Sequence, residues 1–228
     1  MYAVELHAHS AQSYDGRDPV ETLLERAREA GLDALAVTDH DEIEASLAAA
    51  DIAADYGLVG IPGMEISTAA GHVLGLGIEA AIEPGLPYAV TIDRIHEQGG
   101  LAILPHPFQE MRSGVLATIP KDQLQLADAI EVYNSRLVTG WSNRQAKHYA
   151  TRHEMPMTAG SDAHINDMVG RAITHVNADE RNASAILAAI ANGRTVLDTR
   201  RTPWLVSFKQ AIGNTKRRIS IAVSGLLE

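Results

Sequence analysis

Short apolar runs alternate with helix-length amphipathic stretches along this chain, and side chains of metal-ligand type stand where the runs end. The first run, around Val4 and Leu6, leads into His7 and His9. Residues i and i+2 of a strand face the same side, so the two imidazoles aim at one spot, about 6–7 Å apart along the strand. Asp15 follows six positions after His9, past a loop in which Gly16 lets the chain turn. An His-x-His pair near a carboxylate suits a borderline-hard divalent metal. Later runs end in the same way. Residues 33–37 run into Thr38-Asp39-His40-Asp41, 58–67 is a buried strand ending at Glu65, and 101–104 delivers Pro105-His106-Pro107. Residues 156–164 form a short strand whose polar end holds Asp162 and His164, and the run 72–78 begins with His72. In a parallel α/β barrel the C-terminal strand ends share one face, where active sites are built, whereas ligand-type residues scattered by chance would also fall on helices and loops.

The alternation implies βα units and a mainly parallel sheet. The first helix has a marked start, with Asp18 as N-cap, Pro19 at the first helical position and Glu21 completing a capping box. Val20, Leu23, Leu24 and Ala27 form its apolar face, and Gly31 ends it. Further helices are expected at 41–56, 87–98 (stopped by Gly99-Gly100), 140–153 and 182–192, with strands at 128–134, 171–177 and 195–198. Residues 110–126 read as loop and a short helix, and 203–226 as a mostly helical tail.

Composition sets limits on both fold and chemistry. At 228 residues the chain is expected to be a single domain, 1–228, and 46% hydrophobic content is enough for a sizeable core. Aromatic residues make up only 4%, so that core must be built largely of Ala, Leu, Ile and Val. With no cysteine, disulfides and thiolate sites are excluded, and any metal must be held by His, Asp and Glu. No stretch is long enough to span a bilayer and no leader pattern opens the chain, so a cytoplasmic protein is expected, with no membrane partner. A net charge of −10 argues against a broad nucleic-acid surface. Residues 200–228 run the other way, with Arg200, Arg201, Lys209, Lys216, Arg217 and Arg218 against Glu228 alone. That basic segment is either a solvated helix face or a surface that touches a polyanionic substrate.

The motifs LHAHS, DG at 15–16, TDH at 38–40, GMEIS at 63–67, PHP at 105–107 and GSDAH at 160–164 together resemble the PHP (polymerase and histidinol phosphatase) family, in the family's order. The resemblance covers roughly the first three quarters of the chain. It implies a distorted (β/α)7 barrel with two or three divalent metal ions at the strand ends, and hydrolysis of phosphate esters. It further implies that His7, His9, Glu65 and Asp162 hold a first metal. Glu65 would bridge to a second, completed by His72 and His106, while Asp15, His40 and His164 would hold a third. Imidazole and carboxylate ligands suit Zn, Mn or Fe alike. Two departures stand out. Glu5 occupies a position where many members have Asp. The spacing from His9 to Asp15 is one residue longer than in the polymerase members and resembles the phosphatase-like ones, which favours a stand-alone phosphoesterase.

The expected reaction is hydrolysis of a phosphomonoester or phosphodiester by a metal-bound hydroxide at a di- or trinuclear site, with His7, His9, Glu65, His106, Asp162 and His164 as its catalytic set. A phosphorylated small molecule, a nucleotide or an oligonucleotide end would be the partner. Arg17, Arg136 and Arg171 lie near strand ends or motifs, where each either grips a substrate phosphate or belongs to the solvated surface. Asn134 would hydrogen-bond near the metals, and Asp39 either orients a ligand imidazole or starts the following helix. His96, His148 and His153 fall on helices and read as ordinary histidines, while the strand carrying His175 should reach towards the same face as the ligands. Two other readings remain open: an amidohydrolase-type C–N hydrolase, which also uses His-x-His and a late Asp on a barrel, and a non-catalytic metal-binding domain acting through a partner.

Overall fold

Most of the apolar runs become strands and the amphipathic stretches helices. The computed structural model describes residues 1–109, 119, 121–136 and 140–200. In chain order these form β1 (Tyr2–Glu5), α1 (Val20–Glu29), β2 (Ala34–Ala36), α2 (Glu44–Ile52), β3 (Val59–Ile61), β4 (Gly63–Thr68) and β5 (Gly71–Leu76). There follow α3 (Tyr88–Glu97), β6 (Leu101–Leu104), β7 (Ala129–Asn134), α4 (Trp141–Arg152), β8 (Met157–Gly160), β9 (Ala172–Val176), α5 (Ala183–Ala191) and β10 (Thr195–Thr199). The expected helical tail at 203–226, most of the basic segment and the loop at 110–118 lie outside the described residues.

The class is α/β, built on two mixed five-stranded sheets ordered β10-β9-β1-β2-β3 and β4-β5-β6-β7-β8. The expectation of a mainly parallel sheet needs correction. Strands β1, β2 and β3 run parallel, as do β6, β7 and β8, but β9 is antiparallel to both β1 and β10, and β5 is antiparallel to both β4 and β6. Pro62 accounts for part of this. It has no N–H to donate to a ladder, and it divides the single strand expected over 58–67 into β3 and β4, which enter different sheets. Gly63 then permits a close pairing, because a Cβ there would lie 2.7 Å from the Gly75 carbonyl oxygen and 2.8 Å from Leu76 Cδ2. At the far end of the hairpin the Thr68 hydroxyl donates to the Gly71 carbonyl at 2.6 Å and closes the turn.

The first helix starts without its expected cap. Pro19 occupies the N-cap position and no side chain caps the helix. Asp18 is used elsewhere: its carboxylate accepts from the Asn166 backbone N–H at 2.6 Å and ties this turn to the loop after His164. Asn182 does cap α5, accepting from the Ala185 N–H. The core matches the composition, with Leu23, Leu24, Ile61, Ile66, Leu74, Leu76, Ile95, Ile103 and Leu104 among the largest fully buried side chains. Each such Leu or Ile contributes about 1.5–3 kcal/mol by leaving water. Among the described residues, no helix is long and apolar enough to cross a membrane.

Candidate metal centre

Several backbone segments bring the candidate ligands together, and short main-chain links lock them. The chain past β1 continues as an extended segment. His9 N–H donates to the Ala163 carbonyl at 2.7 Å, and Thr38 N–H to the Ala8 carbonyl at 2.8 Å. His40 and Glu65 form an isolated parallel bridge, as do Ala8 and Ala163. Glu65 sits within β4 rather than at its end. Antiparallel pairing sets Ser67 opposite His72, so Glu65 and His72 are diagonal neighbours on one face. His72 Nδ1 lies 2.8 Å from Glu65 Oε1. The antiparallel hairpin thus brings a histidine from the start of β5 to a face that parallel strands reach with their C-terminal ends. A separate reversal, of β9 against β1, removes His175. It pairs with Ala3 in β1, several residues before the ligands begin.

All nine ligand-type residues expected from the sequence fall into four overlapping clusters: His9, Asp15, His40 and His164; His7, His106 and Asp162; His7, His9 and Glu65; His40, Glu65 and His72. Within each, the ligand atoms lie within 4.8 Å of one another. Glu65 is at the centre. Its Oε2 lies 3.2 Å from both His7 Nε2 and His9 Nε2, and its Oε1 lies 3.3 Å from His106 Nε2. Asp162 Oδ1 is 3.2 Å from His164 Nδ1 and 3.5 Å from His9 Nε2, and Asp15 Oδ2 is 2.6 Å from His164 Nε2.

Electrostatics follow from this density of opposite charge. Burial opposes ionisation of Glu65, but His40, His7 and His72 hold its carboxyl well below the usual range. Asp162 is likewise pulled well below, with Arg136, His164 and His7 outweighing burial. Burial lowers His9, yet the Asp162 and Glu65 carboxylates carry it up to about 9. His7 is raised well above its ordinary value against the same burial penalty, by Glu65, Glu131 and Asp162. His40 goes the other way, down to about 4, because burial dominates there. His7 and His9 thus favour their protonated forms among these carboxylates, while His40 favours its neutral form.

The residues fit divalent cations. His9 is fully buried and neither of its ring nitrogens has a hydrogen-bond partner; His40 Nδ1 and His106 Nδ1 are unsatisfied as well. Leaving a buried polar atom unpaired costs about 1–3 kcal/mol, and coordination would satisfy the imidazoles facing the carboxylates. His106 and Asp162 also have left-handed backbone, with φ of 31° and 51°. In non-glycine residues this costs about 1–3 kcal/mol and persists where the surroundings enforce it.

The remaining candidates divide. Arg136 enters the centre, with Nη1 donating to Asp162 Oδ1 at 3.1 Å and lying 2.9 Å from His164 Nε2. Asn134 is buried, and its Nδ2 donates to Glu131 Oε2 at 2.9 Å and to Asp162 Oδ2 at 3.4 Å. Arg17 is half-buried in the loop after Asp15. Arg171 donates from Nε to the Asp167 carbonyl at 3.3 Å. Asp39 neither touches a ligand imidazole nor starts α2. It accepts from the Ser10 N–H at 2.6 Å and the Ser10 hydroxyl at 2.5 Å, fixing the turn after His9. His96 pairs with Asp128 at 2.9 Å, and His153 lies 3.1 Å from Gln125, both away from the centre.

Three residues went unassigned by the sequence reading. Glu131 is buried in β7 and lies 3.1 Å from His7 Nδ1; a lone acid in the apolar run DAIEVYN is a signal that could have found it. Glu5 is fully buried and accepts from the backbone N–H groups of His7, Ser161 and Gly170, while burial pushes its carboxyl up to about 7. Tyr14 is 64% exposed and stacks on His40 at 4.8 Å, presenting an aromatic ring at the mouth. No spacing rule would have picked it out.

Two mixed sheets, with six imidazoles and three carboxylates gathered beside them in overlapping clusters, define an α/β protein with a candidate metal centre. The comparisons agree. A family model described as PHP-associated matches residues 140–195. Over 173 residues the chain is 34% identical to an uncharacterized protein of Methanocaldococcus jannaschii, covering 74% of this chain and 68% of that one. It is 37% identical over 81 residues to a phosphoribosyl 1,2-cyclic phosphate 1,2-diphosphodiesterase of Eggerthella lenta, or 33% of this chain and 30% of that enzyme. Among solved structures, a two-domain protein of Bacteroides vulgatus containing a predicted PHP-like metal-dependent phosphoesterase superposes with a TM-score of 0.74 at 22% identity. That match covers 87% of this chain and 65% of the other. The chain belongs to the PHP family.

Proposed function

We propose that this protein is a metal-dependent phosphoesterase that hydrolyses a phosphomonoester or phosphodiester at the cluster around Glu65. His7, His9, Glu65 and Asp162 would hold one divalent ion, Glu65, His72 and His106 a second, and Asp15, His40 and His164 a third, each Zn, Mn or Fe. The observation that carries this reading is Glu65 itself, a buried carboxylate with imidazoles of His7 and His9 on one oxygen and of His72 and His106 on the other. With imidazoles on both of its oxygens, this one carboxylate would serve two cations at once. When bound, paired divalent ions supply Lewis-acid stabilisation of the charge that builds on phosphoryl oxygens.

The chain's own residues would do the rest. Arg136, held beside Asp162 and His164, can donate charge-assisted hydrogen bonds to a phosphoryl oxygen without a long search for position. The turn fixed by Asp39 and Ser10 keeps His9 and Asp15 in register. Tyr14 gives the mouth one apolar wall. The relative from Eggerthella lenta is a phosphodiesterase, which supports the diester side of the reading. Two single bridges, Ala8–Ala163 and His40–Glu65, join the sheets beside the ligands. We read the two sheets, joined by these bridges and by the Ala159–Thr174 hydrogen bonds between β8 and β9, as a distorted barrel of the (β/α)7 type within a single domain.

The test is hydrolysis of p-nitrophenyl phosphate and bis-p-nitrophenyl phosphate by metal-reconstituted protein, with His106→Ala as control. Release that the variant abolishes supports the phosphoesterase reading, and the preferred ester separates phosphatase from phosphodiesterase. Protein that carries metal yet cleaves neither ester contradicts it.

A further inference from the structure

We propose that Glu131 is the positioning residue of this centre, fixing two ligands that belong to different metal positions. The inference rests on the metal reading above. Glu131 is 2% exposed, and each of its oxygens faces donors. Oε1 lies 3.1 Å from His7 Nδ1, and Oε2 accepts from the His106 backbone N–H at 3.1 Å and from Asn134 Nδ2 at 2.9 Å.

A carboxylate only accepts. Glu131 therefore keeps the His7 proton on Nδ1 and leaves Nε2 to face Glu65, His9 and Asp162. The same group holds the His106 N–H and with it the left-handed turn that aims the His106 ring at Glu65. Through Asn134, which also reaches Asp162, it touches a third ligand. Two features of the backbone serve this carboxylate. The β7–β8 register shifts between Glu131 and Tyr133, an irregularity of the kind that re-aims a side chain. Across from it, a Cβ on Gly160 would fall 2.2 Å from Glu131 Oε1 and 2.7 Å from His7 Cβ, so glycine keeps the space in which the two side chains meet.

Glu131→Gln tests the claim because it preserves size but cannot accept from both sides. If the amide oxygen serves His106 and Asn134, its NH2 faces His7 Nδ1 and forces the proton onto Nε2, the ligand atom. If the amide is reversed, two donors oppose the NH2. Zinc affinity, read by competition with a chromophoric chelator, is expected to fall roughly 10–100-fold, while the unfolding midpoint of the zinc-free variant stays close to that of the unaltered protein. A zinc affinity equal to that of the unaltered protein overturns the proposal, and so does a loss matched by collapse of the zinc-free fold. If the unaltered protein itself binds no zinc, the metal reading fails and takes this proposal with it. A measurement on the unaltered protein needs no variant. In the zinc-loaded form, long-range 1H–15N spectra should show His7 protonated at Nδ1, with that proton shielded from exchange. A proton on Nε2 instead overturns the assignment.

Discussion

His9 illustrates how much of this centre is settled at single residues. It has no hydrogen-bond partner at either nitrogen, yet sits between the carboxylates of Glu65 and Asp162. In the metal-free protein those carboxylates keep it protonated up to about pH 9, above the ordinary histidine value of 6.5. A group whose folded-state pKa is raised stabilises the fold below its unfolded value and loses that contribution as pH climbs through the folded one. Chelator-treated protein should therefore lose thermal stability between about pH 6.5 and 9. Metal competes for the same site, so metal uptake should release protons and apparent affinity should rise with pH until His9 is bare. Calorimetry in buffers of different ionisation enthalpy checks both signs. Replacing Asp162 by Ala should leave a folded chain by circular dichroism, with kcat/KM down by about 10²–10³-fold, the scale of one lost electrostatic stabiliser. The ligands were legible because each sits in a short polar motif beside an apolar run. Glu131 and Glu5 were not assigned, since periodicity alone does not tell a buried acid with partners from an exposed one.

At the level of elements, the antiparallel hairpin of β4 and β5 matters most. It delivers both Glu65 and His72, and sequence reasoning merged its first strand with β3 because both are apolar and only Pro62 separates them. A proline within an apolar run is a known demotion signal for a central strand, and the information was present but outweighed by length. Gly63→Ala would force a Cβ against the Gly75 carbonyl oxygen across the hairpin. The expected cost is about 1–3 kcal/mol, as for other overpacked sites, read as a lower unfolding midpoint together with weaker metal retention. The cap of α1 failed for a different reason. Asp18 had a choice between its own helix and the loop after His164, and the tertiary bond to Asn166 won. Helix positions were otherwise readable, because the apolar faces of α1, α3 and α4 all bury as their spacing implies.

For the whole molecule, the α/β class and the convergence of strand ends could be read from alternation and from ligand placement. The division into two mixed sheets could not, since strand direction depends on pairings between distant segments: β9 reverses against β1 across more than 150 residues of sequence. Nine side chains from seven stretches of chain gather around Glu65, and the proposed function has them hold divalent ions. Metal analysis by mass spectrometry, on protein loaded with zinc or manganese and freed of excess, tests this most directly when paired with Glu65→Gln. Two or three ions per chain are expected in the unaltered protein, and at most one in a variant that still folds but lacks the Glu65 carboxylate. An unaltered protein that retains no metal, or a variant that retains its full complement, would contradict the proposed function.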